Sequence, residues 1–145
     1  WHYVGTLDNQ ATTDHLLFLA RVLPKQPSST YMTAFRNGIS YLLHAQFPNG
    51  CFPQVYPLEG GYHDAATYND DALVRALRFL SAVPPGEFNW VAPALQADAA
   101  AAVERGVRCI LASQISIDGV KTVWCAQHDP LTLEPVRARA YEHES

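Results

Sequence analysis

Nine residues before the middle of the chain return near its end. Gly38-Ile39-Ser40-Tyr41-Leu42-Leu43-His44-Ala45-Gln46 has the same skeleton as Gly106-Val107-Arg108-Cys109-Ile110-Leu111-Ala112-Ser113-Gln114. Gly, Leu and Gln keep their places, and apolar positions stay apolar. Each copy ends in Gln and runs into a short loop holding Gly50 or Gly119. A single helix-loop unit cannot bury its own apolar face, so repeated units stack on one another. The echo therefore predicts a mainly α chain of helix pairs, a partial barrel resembling an α/α toroid. Two amphipathic helices that end alike by chance are the alternative.

Apolar spacing marks four helices. The first covers about Thr12 to Leu23, with Leu16, Leu17, Ala20 and Leu23 on one face, Thr12 or Thr13 available as cap, and Pro24 and Pro27 ending it. The second covers about Ser29 to Gln46 with a stripe of Met32, Phe35, Ile39, Leu42 and Leu43. The third starts at Asn69 or Asp70 and reaches about Ala82, where Pro84-Pro85-Gly86 stops it. The fourth covers about Ala94 to Gln114. Ile115 to Trp124 alternates around Asp118-Gly119, the signal of a small β-hairpin. Between the second and third helices, Phe47 to Asn69 reads as a long irregular loop, and a segment of that length in a compact domain is usually functional. The tail from Cys125 to Ser145 reads as polar and irregular.

Composition narrows the function classes. A chain of 145 residues, 48% hydrophobic and 17% charged, sustains one ordinary core. A net charge of −4 excludes a general nucleic-acid surface, and no apolar run is long enough to span a membrane. The chain opens on Trp1-His2-Tyr3 and reads as a segment of a longer protein. Its basic residues gather late, at Arg105, Arg108, Lys121, Arg137 and Arg139. Three cysteines show no CxxC pair and no zinc spacing. Cys109 falls on an apolar helical pattern and reads as core, which leaves Cys51 and Cys125 as the two available to pair.

Two acidic strings stand at loop-to-helix corners: Asp8-Asn9 before the first helix and Asn69-Asp70-Asp71 before the third. Helix capping explains them on propensity alone, since Asp and Asn favour N-caps and the positive end of the helix dipole. Their oxygen-rich chemistry, at corresponding places in a repeat, equally suits a hard cation such as calcium. Arg137 and Arg139, one residue apart on an extended segment, read either as solvated surface or as a fork for carboxylates. Phe52, Tyr56, Tyr62 and Tyr68 give the long loop aromatic surface for stacking sugars or for packing the loop itself. No nucleophile elbow, phosphate loop or dinucleotide fingerprint is present.

Several strings, in order along almost the whole chain, resemble the pectate lyases of polysaccharide lyase family 10. They are Asp8-Asn9 before Ala11-Thr12-Thr13, Phe47-Pro48-Asn49-Gly50 with Pro53-Gln54-Val55-Tyr56-Pro57-Leu58, and Gly60-Gly61-Tyr62-His63. They continue with Thr67-Tyr68-Asn69-Asp70-Asp71-Ala72, Thr122-Val123-Trp124-Cys125-Ala126-Gln127-His128-Asp129 and Ala138-Arg139-Ala140-Tyr141-Glu142. Cys51-Phe52 departs from the family, where a small residue and a Trp are expected.

The resemblance implies a toroid-like helical fold and calcium-dependent β-elimination of polygalacturonate to 4,5-unsaturated products. It implies Asp8, Asp70 and Asp71 toward calcium, Arg139 as the catalytic residue, and Asn9, Arg137, Trp124, His128, Tyr68 and Tyr62 around the substrate. It further implies that residues 1–145 are a segment of one catalytic domain, incomplete at one or both ends. The implied substrate places the protein outside the cell, where it is expected to work as a monomer without nucleic-acid or membrane partners. A non-catalytic module binding acidic polysaccharide is the second reading, and a hydrolase using two carboxylates such as Asp8 and Asp70 a distant third.

Overall fold

The computed structural model describes residues 4–84, 88 and 90–137. It is mainly helical, and its elements fall into two copies of one unit. The first unit enters through β1 (Gly5–Thr6) and turns through a 3-10 segment at Asp8–Gln10. It then runs up α1 (Ala11–Val22), returns along α2 (Ser29–Ala45) and leaves through β2 (Val55–Tyr56). There β2 lies antiparallel to β1, with Gly5 opposite Tyr56 and Thr6 opposite Val55. The second unit repeats the path with β3 (Ala66–Thr67), a 3-10 segment at Asn69–Asp71, α3 (Ala72–Ser81) and α4 (Pro93–Ala112). A hairpin of β4 (Ser116–Ile117) and β5 (Val120–Lys121) follows, and β6 (Gln127–His128) then pairs with β3. Each helix pair is thus closed by a pair of short strands at its base.

The echo in the sequence has a packing cause. A Cβ on Gly38 of α2 would collide with Leu16 of α1, and a Cβ on Gly106 of α4 would collide with Leu77 of α3. In both units a bare backbone on the second helix lets a leucine of the first lie against it. The recurring glutamines are also placed alike. Gln46 Nε2 donates to the Gly50 carbonyl (2.9 Å) and Gln114 Nε2 to the Thr122 carbonyl (2.9 Å), each holding the turn that ends its unit. Gln46 also binds the other unit, donating to the Ala102 carbonyl at 2.8 Å and accepting from Arg105 at 2.8 Å.

Between the units, Phe35 is fully buried against Phe79, Phe88 and Trp90, with ring centroids 6.0, 5.7 and 5.0 Å away. Ser28 caps α2 by accepting from the Tyr31 N–H (3.3 Å), and Pro93 begins α4 where no N–H is needed. Among the described residues no helix is long and apolar enough to cross a membrane.

Four expectations change. The disulfide joins Cys51 to Cys109, with Cα atoms 5.4 Å apart, and buried Cys125 keeps its thiol. The cause lies one residue earlier. The Gly50 turn sits so close to α4 that a Cβ there would strike the Arg105 carbonyl, which brings Cys51 face to face with Cys109. Second, the long loop after α2 is tied down by β2 and β3, and Phe52 within it is core rather than a stacking surface. Third, the polar tail begins with β6 and doubles back, His128 bridging to Pro135. Fourth, α3 starts at Ala72, because the residues before it leave helical geometry.

Candidate functional site

Superposing the two units in sequence shows a second repeat, at a different spacing from the first. Gly5-Thr6-Leu7-Asp8-Asn9-Gln10-Ala11 aligns with Ala66-Thr67-Tyr68-Asn69-Asp70-Asp71-Ala72. The threonine and alanine coincide, while the acid-amide order is exchanged: Asp8-Asn9 in one, Asn69-Asp70 in the other. The backbone agrees residue by residue. Asn9 (φ 48°) and Gln10 (φ 67°) are left-handed in the first corner, as are Asp70 (φ 52°) and Asp71 (φ 59°) in the second. Two consecutive non-glycine residues in this region cost about 1–3 kcal/mol each, and such strain gathers at functional sites.

Named contacts hold the strain in place. The Asp8 N–H donates to Thr6 Oγ1 (3.0 Å), and Thr12 Oγ1 donates to the Thr6 carbonyl (2.6 Å). In the second corner the N–H groups of Tyr68 and Asn69 both donate to the Ala126 carbonyl, at 2.8 and 3.1 Å. The two corners pack directly against each other at the N-terminal ends of α1 and α3. This sets the backbone that carries Asp8 and Asn9 beside the backbone that carries Asp70 and Asp71.

Capping does not explain the carboxylates. No side chain caps the start of α1 or α3, and the hydroxyls of Thr12 and Thr13 donate to carbonyls instead. Asp70 Oδ2 accepts from Asn69 Nδ2 at 2.6 Å, and Asp71 lies 3.5 Å from the Arg75 guanidinium. Asp8 Oδ1 is buried with no hydrogen-bond donor. A buried carboxylate oxygen without a partner is costly, and a cation is its natural complement. The local donors are carboxylate and amide oxygens, which fits a hard cation and not a thiolate or imidazole metal. Among the described residues no group of three or more His, Cys, Asp or Glu could hold a metal. A cation here would complete its shell from amides, water or an anionic ligand.

An aromatic wall adjoins the second corner. The Tyr68 ring lies 6.3 Å from Trp124 and 5.6 Å from His128. Ser113 gives its proton to the Cys109 carbonyl (2.9 Å), so the Tyr68 hydroxyl donates to Ser113 Oγ (2.7 Å). Burial pushes the Tyr68 phenol above its ordinary range. Trp124 Nε1 donates to the Ile110 carbonyl at 2.7 Å, leaving the indole 38% exposed. Tyr62 stacks 3.7 Å from the His63 ring, and its carbonyl accepts from Gln127 Nε2 at 3.0 Å.

His128 differs from its expected role around a substrate. The ring is fully buried; Nε2 accepts the Cys125 N–H (3.1 Å), so Nδ1–H donates to the Leu133 carbonyl (2.8 Å). Neither nitrogen is left for a sugar, and the ring pins the returning tail. The tail pairing continues with the Val136 N–H on the Gln127 carbonyl (3.1 Å). Its register brings exposed Arg137 level with Ala126, beside the second corner. Arg139 lies outside the described residues.

Two of the late basic residues are engaged apart from the corners: Arg105 serves Gln46, and Lys121 Nζ donates to the Leu111 carbonyl (2.9 Å). The sequence marks Asn69 only as part of an acidic string, not as the residue that holds Asp70, and it gives no sign of Arg75, which faces Asp71, or Ser113, which holds Tyr68. The exchanged acid-amide repeat was the signal that would have found the first.

Comparison with known proteins gives the family and the fold. A sequence model of the Pectic acid lyase family matches residues 2–145. The curated proteins give no match. A solved family 10 polysaccharide lyase from Cellvibrio cellulosa superposes with a TM-score of 0.92 at 39% identity, covering 98% of this chain and 45% of that one. An aspartate-to-alanine mutant of a family 10 polysaccharide lyase from Cellvibrio cellulosa, in complex with trigalacturonic acid, gives 0.92 at 38% identity, covering 98% and 46%. The chain spans less than half the length of either. With the family match extending over both corners and the aromatic wall, the chain belongs to the pectic acid lyase family.

Proposed function

We propose that this chain is part of the catalytic domain of a calcium-dependent pectate lyase that cleaves polygalacturonate by β-elimination. Family membership and the likeness to a lyase solved with trigalacturonic acid support the substrate class. The buried, donorless Asp8 Oδ1 at the paired corners is the observation that carries the cation.

In this reading Asp8 and Asp70 would hold calcium, with Asn9 beside them and Asp71 turned toward Arg75. Calcium held there would supply Lewis-acid withdrawal of charge from the uronate carboxylate, which acidifies the C5 proton. Arg137 binds a neighbouring uronate carboxylate. Trp124, Tyr68 and Tyr62 offer ring surface to the sugars, and His128 keeps the wall in place from behind. Arg139 takes the C5 proton; the electron pair forms the C4–C5 double bond as the C4–O bond breaks, and the leaving oxygen takes a proton from water. An arginine base requires a guanidinium whose proton is loosened by nearby positive charge, because its ordinary pKa lies above ~12. The Cys51–Cys109 disulfide and a polymeric substrate both suit an oxidising, extracellular setting.

The test uses the complete lyase with polygalacturonate, in calcium and in excess chelator, following ultraviolet absorbance of the unsaturated product. Calcium-dependent absorbance that vanishes in Asp70→Ala and Arg139→Ala supports the proposal. Binding without absorbance points to the non-catalytic module, and reducing ends without unsaturation to a hydrolase.

A further inference from the structure

We infer that Asn69 is a positioning residue, which holds the Asp70 carboxylate in place for the cation of the proposed function. The inference rests on the proposed function and adds a residue to it.

Three observations carry it. In the aligned corners Asn69 stands where Asp8 stands, so the second unit carries an amide where the first carries an acid. That amide donates to Asp70 Oδ2 at 2.6 Å, while the Asn69 N–H is fixed on the Ala126 carbonyl at 3.1 Å. Finally, Asp71 faces Arg75 at 3.5 Å, within its own helix. The proposed function gives the cation Asp8 and Asp70, one from each corner. An aspartate at 69 would set two anionic oxygens within hydrogen-bond distance and add a third charge where a polyanionic substrate must enter. The exchange of acid and amide between the units avoids both. Backbone anchoring through Ala126 also ties this orientation to the strand that carries the aromatic wall.

The test is calcium alone, titrated calorimetrically into the complete lyase and into Asn69→Ala, Asp70→Ala and the double variant. Asn69→Ala is expected to weaken calcium binding about tenfold, the usual size for a residue orienting a ligand. It is expected to add nothing in the Asp70→Ala background, because its effect passes through Asp70. Asn69→Leu, similar in size but without a donor, must behave like Asn69→Ala, and thermal melting of each variant reports its folding. Equal losses in both backgrounds, or no loss in either, overturn the inference. If Asp70→Ala alone leaves calcium binding unchanged, the metal reading of the corner falls instead, and that single variant reports it.

Discussion

Removing the Cys51–Cys109 disulfide should destabilise the chain far more than an ordinary buried substitution. The bridge joins residues separated by 58 positions and spans the two units. Loop-closure entropy for a ring of that size amounts to about 4 kcal/mol at 25 °C. Loss of packing adds to this, since Cys51 and Cys109 are 0% and 1% exposed. The variant Cys51→Ala/Cys109→Ala should therefore melt roughly 8–16 °C below the parent, using about 2–4 °C per kcal/mol for a chain of this size. It should still fold, because Gln46 spans the same interface through Ala102 and Arg105. Urea unfolding in oxidising buffer measures the difference. Its slope should steepen in the variant, whose unfolded chain is no longer cross-linked. Thiol titration of the denatured, unreduced parent should find Cys125 alone. A stability difference below about 1 kcal/mol, the size of a routine substitution, would refute the argument. So would titration of all three cysteines.

Other substitutions test the remaining geometry. Gly50→Ala forces a Cβ into the Arg105 carbonyl at a backbone φ of 96°, and should cost more than about 3 kcal/mol in urea unfolding. His128→Leu leaves the Cys125 N–H and Leu133 carbonyl without partners; a loss of about 2–6 kcal/mol is expected, and a neutral result would show that the ring pins nothing. Burial pushes the Tyr41 phenol up to about 12. Its folded form favours the neutral phenol, so this stability is complete below about pH 10, the phenol's ordinary range, and is lost as pH rises. Urea midpoints at about pH 9 and about pH 11 should show the fall, and Tyr41→Phe should flatten it.

The helices were legible because each is set by local spacing: Phe35, Ile39 and Leu42 mark the buried face of α2 whatever surrounds it. The Gly and Gln of the echo were legible as a repeat, though their packing role needed the partner helix. What escaped was non-local. Nothing near Cys51 shows that Gly50 rests on α4, so the sequence does not point to Cys109 as the disulfide partner. Strands of two residues carry no periodicity, which hid the closure of each unit. At the corners, Asp and Asn have the same short-range preference for caps and for left-handed turns. Composition therefore favoured caps, and only the backbone angles separate the two outcomes. His128 differs in another way: the family resemblance set it around the substrate, while its burial and its two hydrogen bonds make it a support.

Closing each unit at its base separates two parts of the molecule mechanically. The strands sit beside the corners, whereas the turn linking α1 to α2 lies a helix length away, about 18 Å at 1.5 Å per residue. A change of length in that distant turn alters the top of a hairpin whose two feet are already clasped. It need not alter the spacing of Asp8 and Asp70. Reshaping of the surface should therefore concentrate at the α1–α2 turn, while the clasped end keeps its geometry across variants of different size.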